Sequence, residues 1–237
     1  MWKKLFILVM VLSTSLCAWS ADGDTFQAET PGGVMMKFKV ISEAEKTCWL
    51  HTLPNKSTEG AVSVPEEVNG YKVVELRYSA FWHQEKITSI SLPSTITAIG
   101  STAFEGCISL KNINLPPLLT YVNVDYFKGC VSLNEIESQI EDPTKVRIST
   151  DSYIYLKELA QQIVLRVPDG TKKAYLSTSE WNEFIIFEHS EPVVINYERT
   201  LTDEQGVKYQ LSQSDSSFVY KICGYTEALK EQGIVPD

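Results

Sequence analysis

Residues 90–112, ISLPSTITAIGSTAFEGCISLKN, align without a gap on residues 113–135, INLPPLLTYVNVDYFKGCVSLNE. Ile90 falls on Ile113, Leu92 on Leu115, Pro93 on Pro116, Ile96 on Leu119, Ile99 on Val122 and Phe104 on Phe127. Gly106–Cys107 falls on Gly129–Cys130, and Leu110 on Leu133. An earlier unit keeps the same 23-residue step in its second half, where Ala80–Phe81 precede Ala103–Phe104 and Ile87 precedes Leu110. Its first half, from Val62 to Tyr71, is longer around the turn-like Asn69–Gly70–Tyr71. A fixed period of this length marks units that stack on one another, and it restricts the fold more than any other feature of the chain.

A single unit has too few inward apolar positions to offset the entropy of ordering its backbone. Stacking buries the flat faces of neighbouring units against each other, so the units are stable only together. Within a unit, Ile-x-Leu-Pro predicts a short strand ended by a proline that cannot donate to a continuing ladder. The Ile96/Ile99 spacing followed by Gly100 predicts a second short extended segment, and Ala-Phe-x-Gly-Cys closes the loop to the next strand. Cys107 and Cys130 then lie one above the other inside the stack. They read as free thiols filling the core, with a disulfide or a metal pair as alternatives.

The pattern LxxIxLPxxLTxIGxxAFxGCxSL resembles the BspA-like leucine-rich repeats of surface proteins from many anaerobic bacteria, over about residues 60–190. The resemblance implies a β-rich leucine-rich repeat solenoid, right-handed, with short strands joined by turns or short helices. Residues 163–187 are similar to the small closing segment that follows such arrays: a strand ending in Val167–Pro168, a turn at Asp169–Gly170, then Tyr175, Trp181 and Phe184. Asp142 to Gln162 departs from the repeat, and YIYLKELAQQ reads as a short helix or a degenerate unit.

The flanks divide the chain further. Trp2-Lys3-Lys4, an apolar run and a small-residue exit at Ala18 and Ser20 make residues 1–20 a secretory signal peptide. A lipid-modified Cys17 is the alternative. The apolar run is too short to span a bilayer, so no transmembrane segment is expected after signal removal. Residues 21–32 read as a linker and 33–190 as the repeat domain with its caps. The N-terminal cap is a β-hairpin, because Val34, Met36, Phe38 and Val40 alternate with polar residues, as do Cys48 and Leu50 after SEAEKT. Residues 191–205 read as a second linker and 206–237 as a C-terminal β-hairpin segment. That segment is either the opening of a second array, able to associate with a second copy, or an ordinary hairpin packed on the last turn.

Chemistry is harder to find than architecture. The net charge of −9 and the absence of a Lys/Arg run in sequence argue against a nucleic-acid partner. His51, His83 and His189 are the only histidines, and none stands at the spacing of a nucleophile motif. Pro31–Gly32–Gly33 lacks the Lys-Ser/Thr of a phosphate loop. The chain reads as a binding protein and not an enzyme, with no cofactor and no metal. Glu135, Glu137, Glu141 and Asp142 form an acidic run whose default reading is a solvated face, with a cation or basic-partner site as the alternative.

The strand face remains. Stacking aligns its outward residues into columns, and Ser89, Ser91, Lys111, Asn112, Asn114, Glu135 and Glu137 are the predicted binding residues, with Tyr121 the nearest aromatic anchor. Tyr126 and Trp82 are further aromatic candidates, or packing at the repeat edges. The resemblance implies a secreted or cell-surface protein that recognises a protein or glycoprotein, as in adhesion to host matrix or other cells. A carbohydrate-binding accessory protein and a structural component of a surface assembly are the alternatives.

Overall fold

A computed structural model describes residues 21–150, 153–191, 200–202, 207–214 and 217–225. Its centre is a six-stranded parallel sheet that follows the repeat: β4 (Glu59–Ser63), β7 (Lys86–Ser91), β9 (Asn112–Leu115), β11 (Glu135–Ser138), β13 (Val164–Val167) and β14 (Ile185–Glu188), neighbours in that order. The aligned isoleucines set the register, which pairs Val62 with Ile90, Ile90 with Ile113, Ile113 with Ile136, Ile136 with Leu165 and Leu165 with Ile186. Every residue of that row is buried. A one-residue slip would turn the whole row outward, so burial fixes the register.

Beneath the strands, side chains at one repeat position stack into columns. Phe81, Phe104 and Phe127 have successive ring centroids 5.7 Å apart. The Cys107 thiol donates to the carbonyl of Phe81 and the Cys130 thiol to that of Phe104, each at 3.1 Å. Gln84 takes the corresponding place in the first unit, where its amide donates to the carbonyl of Leu53 at 3.3 Å. Cys48, Cys107 and Cys130 are buried, free thiols.

The glycine before each cysteine has its own cause. His83, Gly106 and Gly129 occupy one repeat position and all have positive φ, at 51°, 74° and 77°. A Cβ on Gly106 would lie 2.8 Å from the His83 ring, so turn conformation and close stacking both demand glycine there.

The N-terminal sheet runs β1 (Thr25–Glu29), β2 (Met35–Ser42), β3 (Thr47–Thr52), β6 (Tyr71–Leu76), β5 (Glu67–Val68), with β8 (Ala98–Ile99) also on β6. Met36, Phe38, Val40, Cys48 and Leu50 point inward and are buried, as their alternation requires. The extra length of the first unit is the β5–β6 hairpin. Its turn, Asn69–Gly70, has positive φ at both residues, which matches the twist of the flanking strands. Residues 21–32 are corrected from linker to structured edge. Phe26 and Ala28 alternate inward along β1, and Phe26 stacks on Phe38 at 5.6 Å.

The second extended segment of the 113–135 repeat, β10 (Tyr121–Asn123), pairs with β12 (Arg147–Ser149) in a separate two-stranded parallel sheet. Residues Tyr153–Gln162 form helix α1, with Leu156, Leu159 and Ala160 buried at helical spacing and Lys157, Glu158, Gln161 and Gln162 exposed. Between β13 and β14, helix α2 (Lys172–Leu176) and the 3₁₀ turn Trp181–Glu183 bury Tyr175 and Trp181 in edge-to-face contact at 5.2 Å. The Tyr175 hydroxyl donates to the carbonyl of Ile140 at 2.7 Å. In the C-terminal segment, β15 (Thr200–Thr202), β16 (Val207–Ser214) and β17 (Ser217–Tyr225) form an antiparallel meander. Residues 191–205, read as a linker, therefore supply the first of its strands. The signal-peptide reading of residues 1–20, and the part of the C-terminal β-hairpin reading that falls on residues 226–237, lie outside the described residues.

Candidate binding face

The strand face of the central sheet is a row of ladders. Cross-strand register puts Ser89, Asn112 and Glu135 side by side, and beside them Asn114, Glu137 and Arg166. Ser89, Ser91, Asn112, Asn114, Glu135, Glu137 and Gln139 line a shallow depression on this surface. The Ser89 hydroxyl donates to the side-chain oxygen of Asn112, so the first column is already joined between repeats. Lys111 is exposed at its margin, and its carbonyl accepts from the backbone N–H groups of Asn134 and Glu135.

Two predicted site residues are placed differently. Asn114 is buried at 8% exposure. Its side-chain oxygen accepts from the N–H of Leu92 at 2.6 Å and its amide donates to the Leu92 carbonyl at 2.8 Å. The amide thus replaces a missing strand partner where β7 ends before its proline, and it has little left for a ligand. Tyr121 is exposed but lies on β10, in the other sheet, because its repeat position belongs to the second extended segment. Of the other aromatics, Tyr126 is buried core and Trp82 is 44% exposed.

The charged end of the face contains a residue that sequence reasoning passed over. Arg166 stands 3.5 Å from the Glu135 carboxylate and donates to the carbonyls of Glu188 at 3.2 Å and Glu191 at 3.0 Å. Its place between Leu165 and Val167 of β13, both buried, could have shown it facing the same way as Glu137. The acidic run does not act as a unit. Asp142 caps the 3₁₀ turn Pro143–Lys145 and pairs with Lys145 at 2.9 Å. Hydrogen bonds from Thr144, then from Lys145, hold its carboxyl below the usual range. Among the described residues no three His, Cys, Asp or Glu side chains are grouped as a metal would need.

Residues 73–164 match the family model of the BspA type leucine-rich repeat region, in six copies. This chain carries a BspA-type leucine-rich repeat region. Such regions generally serve as protein-interaction modules, typically exported or surface-associated. No curated protein matches the chain. Among solved structures it is similar to a leucine-rich repeat protein of T. pallidum, at 25% identity over 62% of this chain and 70% of that one, with a TM-score of 0.43. It is also similar to a leucine-rich repeat protein from Bacteroides ovatus, at 26% identity over 49% of this chain and 36% of that one, with a TM-score of 0.40. A leucine-rich cell surface protein from Faecalibacterium prausnitzii shares 15% identity over 84% of this chain and 61% of that one, with a TM-score of 0.38. Among the described residues no helix is long and apolar enough to cross a membrane.

Where the N-terminal sheet joins the start of the BspA-type region, it gathers positive charge that no run in the sequence announces. Lys37 and Lys39 of β2 and His51 of β3 point to its outer face, and Arg77 follows β6. Arg77 lies over the Trp49 ring at 4.4 Å, with Lys39 at 5.6 Å from the same ring. Partial burial, and then the Lys37, Lys39 and Arg77 charges, lower the pKa of His51.

Proposed function

We propose that this protein is exported through its residues 1–20 and recognises a protein or glycoprotein partner at the cell surface, in adhesion to host matrix or to other cells. The recognition surface is the strand face between β7 and β11. One observation carries this reading: the parallel register sets Ser89, Asn112 and Glu135 in one column and Glu137 beside Arg166 in the next. Hydroxyl, amide and carboxylate groups presented at strand spacing can meet the polar groups of a large partner together, at little cost because the sheet holds them in place. The surface is polar, so affinity comes from many hydrogen bonds and not from one apolar anchor.

The test is binding of the protein to a panel of purified host matrix glycoproteins, beside a double variant, Asn112→Ala with Glu137→Ala. Asn114 is left intact because its amide supports the backbone. A glycoprotein bound by the parent and released at least tenfold faster by the variant supports the reading. Binding that the double variant leaves unchanged, or no binding to any member of the panel, counts against it.

A further inference from the structure

We propose that the outer face of the N-terminal sheet binds an anionic polysaccharide, with Lys37, Lys39, His51 and Arg77 holding its sulfate or carboxylate groups and Tyr78 supporting a sugar ring. The site is separate from the strand face and independent of the function proposed for it.

The charges on this face are not neutralised by the protein itself. Lys37 sits opposite Gln27 and Thr52, and Lys39 opposite Thr25 and Trp49, so their cross-strand neighbours are uncharged. Among the described residues, none of Lys37, Lys39 and Arg77 takes part in an ion pair. Glu75, opposite Trp49 on β6, pairs with none of them. Other lysines are neutralised, since Lys128, Lys145 and Lys172 each have a carboxylate within 4 Å. A cluster of unpaired cations on a chain of net charge −9 is a local reversal of the field that steers a polyanion to one face.

The aromatic residues explain how the cations are held. Trp49 lies beneath both Arg77 and Lys39, and Arg77 is 5.9 Å from the ring of Tyr78. Contact with a ring face orients a guanidinium without cancelling its charge, so its N–H edge stays free for bidentate contact with an oxyanion. Tyr78 is 63% exposed, the second most exposed large apolar side chain among the described residues, and it stands directly beside that guanidinium. An exposed ring next to an anion-binding fork suits a ligand whose charges are carried on apolar-faced rings.

The site lies on the face of a sheet and not at its edge, so it offers side chains and no free backbone ladder. A peptide in extended form gains most from a sheet edge. A polysaccharide needs only side-chain donors and ring faces, and it is the occupant these residues fit.

The test titrates the protein with heparin, following tryptophan fluorescence, with neutral dextran and poly-glutamate as comparison polymers. Heparin is expected to bind with an affinity that falls steeply as salt rises, while dextran does not bind and poly-glutamate binds at least tenfold more weakly. Lys37→Ala with Lys39→Ala, and separately Arg77→Ala, should each weaken heparin binding about tenfold or more and flatten its salt dependence. Tyr78→Ala removes no charge and should weaken heparin binding several-fold at unchanged salt slope. Unchanged thermal melting of the exposed-site variants Lys37→Ala/Lys39→Ala and Tyr78→Ala separates these losses from unfolding. Absence of heparin binding, poly-glutamate binding as tight as heparin, or heparin binding that survives the lysine and arginine changes would each overturn the proposal. Asn112→Ala with Glu137→Ala should leave heparin binding as it is, so failure of this site and failure of the strand-face reading can be told apart.

Discussion

The two outward surfaces of this molecule are made in opposite ways. On the strand face, each column consists of one repeat position copied along the stack, so neighbours are similar in kind: hydroxyl, amide, carboxylate. On the N-terminal sheet, Lys39, His51, Trp49, Arg77 and Tyr78 come from three strands or strand ends with no period between them. Repetition gives an even surface without a strong anchor. Convergence of unrelated strands gives a cluster with a definite charge and an aromatic floor. A long even surface suits a large partner, and a compact cluster suits a specific chemical group.

Several changes would break this contrast or sharpen it. The largest effect is expected inside the stack, where Phe104 lies between Phe81 and Phe127. Phe104→Ala should cost roughly 3–5 kcal/mol in urea unfolding, whereas Tyr78→Ala on the other surface should stay within about 0.5 kcal/mol. Equal losses would show that the stacked column is not the main source of stability.

A second test asks whether the two regions unfold as one. Burial pushes the thiols of Cys48, Cys107 and Cys130 up to about 12, about 11 and about 12. The same thiols in the unfolded chain ionise near pH ~8.5, so the folded form alone resists losing their protons. Their contribution is complete below that pH and shrinks as pH rises toward 11, by about 1 kcal/mol per thiol per pH unit. Cys48 belongs to the N-terminal sheet and the other two to the stack. Denaturant midpoints at pH 8, 9 and 10 should therefore fall along one shared transition, and two separating transitions would show independent regions.

The turn column gives a smaller effect. Gly106→Ala should cost roughly 1–3 kcal/mol, because the added methyl meets the His83 ring in a left-handed turn. Gly60→Ala, at similar φ but in open space, should cost about 1 kcal/mol. A calorimetric comparison that ranks them the other way would remove close stacking as the reason for the repeated glycine.

The smallest difference separates two asparagines of one strand. Asn114→Ala leaves the N–H and carbonyl of Leu92 without partners and should cost roughly 1–3 kcal/mol. Asn112→Ala, exposed, should change stability by less than about 0.5 kcal/mol while weakening ligand capture. Identical melting curves for the two variants would refute the support role of Asn114.

Much of the fold could be read from the sequence because its period and its core are the same fact. Ile90, Ile113 and Ile136 align in the chain and adjoin in space. The site was legible only where it inherits that period, as Ser89, Asn112 and Glu135 do. Asn114 obeys the period and lies on the strand face, but its short amide is taken up by the backbone of Leu92 where the neighbouring strand meets its proline, a use that depends on backbone position. Tyr121 was assigned to the wrong sheet, since the repeat has two extended segments and the sequence does not say which one it faces. The alternation Thr25-Phe26-Gln27-Ala28-Glu29 is hidden between Asp22-Gly23-Asp24 on one side and Pro31-Gly32-Gly33 on the other. The cation cluster was only half legible: alternation puts Lys37 and Lys39 on one outer face of the predicted hairpin, but His51 and Arg77 join them only once β2, β3 and β6 are paired.

The buried donors of Cys107 and Cys130 each reach back to a carbonyl of the preceding unit, and that of Gln84 in the first unit to the Leu53 carbonyl just after β3. Each joint therefore carries bonds both ways, with a side chain of the later unit donating backward while backbone N–H groups of the earlier unit, those of Phe81, His83 and Gly106 among them, donate forward to Ala103, Glu105 and Lys128. A whole unit inserted in frame would find its acceptor waiting and offer a new one to its successor, and a whole unit deleted would leave the two sides of the cut matched. A partial unit would strand a donor or a carbonyl in the core. Array length is thus open to change by duplication and loss of complete repeats, while the chemistry of each joint stays constant.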